Sequence, residues 1–194
     1  MKILTIANPR TGGYYFTKSI ADTHHLTHYH QPDTDVSLDT ILNRDNISVK
    51  LCTIQLHQDF ENSKLSLEKY IKNLHERVGR FEFDNIILLH RNTNKEYKES
   101  IINLINQGPG KSHVDWVYDN KFVNSITDDL VKYVDSYMKT MNNWMDLLSA
   151  EFNIPPIYYE DLYYNTESVD LGGLEFKPDL SKKLRTEIKP NTII

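Results

Sequence analysis

The sequence predicts an α/β protein: a mainly parallel sheet flanked by helices on both faces. Three observations point there. Short runs of β-type apolar residues alternate with segments whose apolar residues recur at helical spacing. The run "FDNIILLH" (83–90) is continuous in its apolar residues, which suits a strand covered on both sides. The chemically distinctive residues follow predicted strands, where open parallel sheets hold their ligands.

The elements follow in order. Ile3 to Ala7 reads as a buried strand and ends at the turn signal Asn8-Pro9. Tyr14 to His25 reads as a helix, with Phe16, Ile20 and Thr23 on one face. "THYHQPDTDVSLD" (27–39) has a loop composition. Ile47 to Leu56 is a second strand, and Leu65 to Val78 a helix with Leu67, Ile71, Leu74 and Val78 in phase, closed by Gly79. After the strand at 83–90, Thr93-Asn94-Lys95-Glu96 reads as a capping box for a helix to about Asn106. "QGPGKSH" (107–113) breaks the pattern. Ser125 with Asp128 reads as a second capping box, opening a long helix to about Ala150 whose apolar face runs from Leu130 to Leu148. "IPPIYY" (154–159) is a last short strand, and the chain is polar beyond Leu174. The 194 residues fit one domain over 1–194.

Composition narrows the function classes. With 39% hydrophobic and 25% charged residues, the chain is an ordinary globular one. A net charge of −5 without a basic stripe argues against nucleic acid as partner. The single cysteine, Cys52, allows no intramolecular disulfide and sits among apolar residues. No stretch has the length of a membrane span, and "MKILTIANPR" reads as a strand, not a leader. The expectation is a cytoplasmic protein. Oligomeric state is silent in the sequence.

The stretch "NPRTGGYYFTKS" (8–19) places Arg10, Thr11, Gly12 and Gly13 between a strand and a helix. Glycines there admit positive φ and a close approach, and the helix N-terminus favours an anion. Arg10 adds a cation able to bond two phosphate oxygens. The Walker pattern GxxxxGK[ST] is absent, and Lys18-Ser19 falls too deep in the helix to replace it. In "ILLHRNTNKEYKES" (87–100), Arg91 follows a strand, and Ser100 leans back toward it from the next helix.

Together these stretches resemble the sulfotransferase family, bacterial-type members in particular. "NPRTGGYYF" is similar to that family's 5′-phosphosulfate loop, "LLHRNTNKEYKESI" to its 3′-phosphate segment, and "IPPIYYEDLYYN" to its late strand ending in Tyr-Glu-Asp-Leu. The three similarities span residues 8 to 165, in the family's order. The resemblance implies a P-loop-like fold and metal-free sulfuryl transfer from 3′-phosphoadenosine 5′-phosphosulfate (PAPS) to a hydroxyl or amine of a small molecule or glycan. By carry-over, Arg10, Thr11, Gly12, Gly13, Tyr14 and Tyr15 hold the 5′-phosphosulfate, and Arg91 and Ser100 the 3′-phosphate. One departure stands out. Gly13 and Tyr14 occupy places where the family usually has Ser or Thr.

Transfer needs a base beside the acceptor oxygen. His57, read as ending the second strand, is the first candidate; Asp33 is the second, with His30 a further option. His24 and His28 have helical i, i+4 spacing, but no Glu or Cys accompanies them in a zinc pattern, so no metal is expected. Two other readings stay open. One is a non-catalytic or degenerate nucleotide-binding protein of this fold. The other is a P-loop phosphotransferase, which would need the missing Walker lysine.

Overall fold

The fold is that of a computed structural model, which describes residues 1–30, 32, 36–106, 126–164, 169, 171–174 and 176. Five strands form one wholly parallel sheet: β1 (Lys2–Ala7), β2 (Thr27–His30), β3 (Ile47–Cys52), β4 (Asn85–His90) and β5 (Ile157–Tyr158), in the order β2-β3-β1-β4-β5. The helices are α1 (Gly13–Thr23), α2 (Val36–Leu42), α3 (Thr53–Ser63), α4 (Leu67–Gly79), α5 (Lys95–Asn106), α6 (Asp128–Phe152) and α7 (Tyr159–Tyr163).

Strand side chains alternate between two buried layers. Leu4 and Ile6 of β1, Ile47, Val49 and Leu51 of β3, and Leu88 of β4 face the larger layer, packed with α2 to α6. Ile3, Ala7, Ile87 and Leu89 face the smaller one, with Phe16 and Ile20 of α1 and Tyr159, Leu162 and Tyr163 of α7. Both faces are covered, which is why β4 carries an unbroken apolar run over 86–89 and β1 is apolar from Ile3 to Ala7 except at the buried Thr5. β1 is central. The chain winds to one side of it through β3 and β2, and to the other through β4 and β5. The strand order therefore reverses at β1, and open parallel sheets hold their ligands outside the carboxyl end of the strand at such a reversal.

Several boundaries depart from the sequence reading. The second strand ends at Cys52, and a helix begins at Thr53 with no intervening loop. Within 27–39, expected to be loop, β2 pairs in parallel with β3 and α2 begins at Val36. The cap of α5 is Asn94, whose Oδ1 accepts from Tyr97 N at 2.8 Å, while Thr93 Oγ1 accepts from Asn142 Nδ2 at 2.7 Å. α6 is capped by Thr127, whose Oγ1 accepts from Leu130 N at 3.2 Å. Ser125, the cap expected from sequence, lies outside the described residues, as does the break at 107–113. Among the described residues, no helix is long and apolar enough to cross a membrane.

Candidate functional site

The loop after β1 is held from beneath by Asn8, which is buried. Its carbonyl accepts from Thr11 Oγ1 at 2.7 Å. Its side-chain Oδ1 accepts from Thr53 Oγ1 at 2.7 Å, and its Nδ2 lies 2.8 Å from His90 Nδ1. One amide thus joins the ends of β1 and β4 to the first residue of α3. Burial lowers the His90 pKa, against the pull of Asp146 and Glu160, so the ring is neutral and accepts the amide proton.

Above this base the backbone turns left-handed twice, at Arg10 (φ 59) and at Gly12 (φ 68), the residue that caps α1. No side chain caps α1, so its first N–H groups are left to water or to a ligand. A Cβ at Gly13 would stand 2.8 Å from Lys50 Cε and 3.0 Å from Ala7 Cβ. A side chain there would have to displace the Lys50 chain and press on Ala7.

Lys50 is the candidate site residue that sequence reasoning missed. It pairs in register with Thr5 of β1 and with His30 of β2, on the face that α1 covers. It is 6% exposed. Its ammonium has no hydrogen-bond or ion-pair partner among the described residues, and burial lowers its pKa. A cation beside the positive end of a helix is doubly unfavourable unless an anion joins them. The signal was present in "ISVKLC", where a charge interrupts a strand buried along its whole length.

The Arg10 side chain turns the other way, toward α5. Its Nε donates to Ser100 Oγ at 2.9 Å. Two residues assigned to opposite ends of a ligand thus meet at one spot. Arg91 differs from expectation. It is 1% exposed, 4.7 Å from the Tyr159 ring centre and 5.5 Å from that of Tyr97. Its Nη1 donates to the Arg10 carbonyl at 3.1 Å, and its Nε faces Glu160 Oε1 at 3.6 Å. It lies behind the loop, with a main-chain carbonyl and a partly buried carboxylate as its partners. Thr11 is likewise turned inward. Tyr14 and Tyr15 are exposed on the first turn of α1, beside a groove of about 390 Å³ that Lys18 and Tyr163 also line.

His57 requires correction. It stands in the second turn of α3, not at a strand end, and its Nδ1 accepts from Trp144 Nε1 at 3.2 Å. Its ring stacks near Phe60, on the α6 side of the sheet. The residue that ends β3 is Cys52, a buried thiol. Asp33 lies outside the described residues. His30 ends β2 next to Lys50, 5.0 Å from the Tyr14 ring.

No family model matches the chain, and no curated protein does. Among solved structures it is similar to a de novo designed protein with a P-loop NTPase fold, determined by solution NMR. Identity is 15%, covering 74% of this chain and 94% of that one, at a TM-score of 0.28. Similarity that low bears on neither fold nor function. What the site can do rests on its own geometry: a helix N-terminus with a buried ammonium on one side, and a guanidinium with a hydroxyl on the other. Among the described residues, no group of three or more His, Cys, Asp or Glu side chains could hold a metal ion.

Proposed function

We propose that the protein binds a nucleotide carrying two separated anionic groups, and that this ligand is PAPS, the donor for sulfuryl transfer to a hydroxyl or amine. The observation that carries the reading is the unpartnered Lys50 ammonium beside the uncapped start of α1. That pair calls for an anion, and a 5′-phosphosulfate supplies one. The Arg10 guanidinium and Ser100 hydroxyl form the second cradle, suited to a 3′-phosphate. The roles are thus redistributed. Lys50 joins Gly12 and Gly13 at the phosphosulfate, and Arg10 joins Ser100.

In the proposed reaction the acceptor oxygen or nitrogen attacks sulfur in line with the bond to the 5′-phosphate. The new bond to sulfur forms as the sulfur–oxygen bond to the phosphate breaks. Adenosine 3′,5′-bisphosphate leaves, and the acceptor proton passes to a base. Lys50 stabilises charge growing on the leaving phosphate. His30, one strand over from Lys50, is the base this edge of the sheet offers. The exposed rings of Tyr14 and Tyr15 give the adjoining groove flat faces of the kind that suit a sugar ring.

Calorimetry with adenosine 3′,5′-bisphosphate in the absence of Mg²⁺ is the test. Saturable binding is expected. Ser100→Ala should weaken it by roughly 0.5–1.5 kcal/mol while leaving adenosine 5′-monophosphate affinity unchanged. Absence of binding, or binding only with Mg²⁺, would overturn the donor assignment. The first of these results would favour a second reading, a relic that keeps the fold without the chemistry. The inward-turned Thr11 and the buried Cys52 at the end of β3 are the observations on that side.

A further inference from the structure

Among the described residues, Arg91 is the largest charged side chain that is fully buried, and its partners describe a strut. Its Nη1 donates to the carbonyl of Arg10, a residue whose left-handed backbone costs free energy in any residue but glycine. Its Nε faces Glu160 on α7. Glu160 in turn accepts from Asn92 N at 3.1 Å and from Asn94 Nδ2 at 3.4 Å. Asn94 caps α5, the helix that carries Ser100. A single guanidinium therefore links the strained residue of the β1 loop to the start of the α5 helix, through one carboxylate. That carboxylate also offsets its charge, and the Tyr159 and Tyr97 rings pack against it.

We propose that Arg91 is a positioning residue. It holds Arg10 in the conformation that aims the loop amides and the Arg10 side chain at the anion, and it does not itself touch phosphate. This rests on the anion-binding reading for its purpose, but the mechanical claim stands apart from any nucleotide. A direct ligand to a 3′-phosphate would favour bisphosphate over monophosphate. A strut beneath the loop favours every anion that the loop holds.

Arg91→Lys keeps the charge and loses the geometry. Glu160→Gln keeps the arginine and its acceptor oxygen and removes the counter-charge, and it decides the matter if the lysine variant does not fold. Two measurements are made on each. The first is calorimetry with adenosine 3′,5′-bisphosphate and with adenosine 5′-monophosphate. The expected result is the same factor of loss for both, roughly tenfold for Arg91→Lys. The second is amide hydrogen exchange in the ligand-free protein, where residues 10–13 should exchange faster while β1 and β4 keep wild-type rates. A loss confined to the bisphosphate makes Arg91 a ligand and overturns the proposal, and so does unchanged exchange at 10–13. If the wild-type protein binds neither nucleotide, the donor assignment falls by itself. The exchange measurement then decides alone whether Arg91 holds the loop.

Discussion

At the scale of single residues, the proposed function makes Lys50 set stability against binding. A buried ammonium without a partner destabilises the ligand-free fold. Lys50→Met keeps the length of the side chain and removes the charge. The variant should melt at a higher temperature than the wild type, by roughly 1–3 kcal/mol in stability, and should lose the nucleotide. Calorimetric melting with and without adenosine 3′,5′-bisphosphate measures both. A variant that melts lower and still binds would remove Lys50 from the site. The residue escaped the sequence reading for a physical reason. A strand's apolar alternation tells which face is buried, but not which buried polar residue lacks a partner, because that depends on what packs opposite. Arg10 and Ser100 were legible as phosphate-type residues, yet their contact joins positions 90 apart in the chain. Arg91 was expected to hold a 3′-phosphate, and nothing in its local sequence marks it as internal, since arginine is rarely fully buried unless paired. Only the arrival of Tyr97, Tyr159 and Glu160 around it makes it internal.

The elements were legible in proportion to how well their ends are marked. β1, α4, β4 and α6 each have a clear apolar pattern, a turn signal or a cap. α3 has none at its start: it follows Cys52 directly, without glycine, proline or a side-chain cap. The run "LCTIQL" is short and apolar, and such a run does not distinguish strand from helix. That error carried His57 to a strand end it does not occupy. β2 was missed because it is a four-residue edge strand with only partly buried side chains. The caps are testable at this scale. Asn94→Ala should cost about 1 kcal/mol of stability, since Asn94 accepts the Tyr97 amide. Thr93→Ala removes only an exposed side-chain bond and should cost less. Chemical denaturation of both variants orders them, and the reverse order would move the cap to Thr93.

The whole molecule repeats the arrangement of its site: polar groups buried within an otherwise apolar sheet, Thr5, Ser48, Lys50 and His90 among them. Burial lowers the pKa values of His28 and His90, so both are neutral when folded. For His28 the nearby Lys18 and Lys50 push the same way, and for His90 burial outweighs Asp146 and Glu160. The unfolded chain takes up protons near the ordinary histidine value of 6.5, above where the folded protein does. Stability should therefore fall as pH drops below about 6.5, with the loss growing until the folded values are reached. Denaturation midpoints between pH 7.5 and about 4.5 check this, and His90→Gln should flatten the slope. A slope of opposite sign would mean that the histidines are charged in the fold. The sheet was predictable as parallel, but its strand order was not. Which strand lies centrally depends on packing between helices far apart in sequence.

Lys50 is rooted in the middle of β3, a strand with neighbours on both sides, and not in the loop beside it. On the proposed function, the cation and the loop backbone that meets the anion are therefore separate pieces of the framework. On that reading, grafting another loop of similar length between Ala7 and Phe16 would change which anion is selected and leave the positive anchor in place.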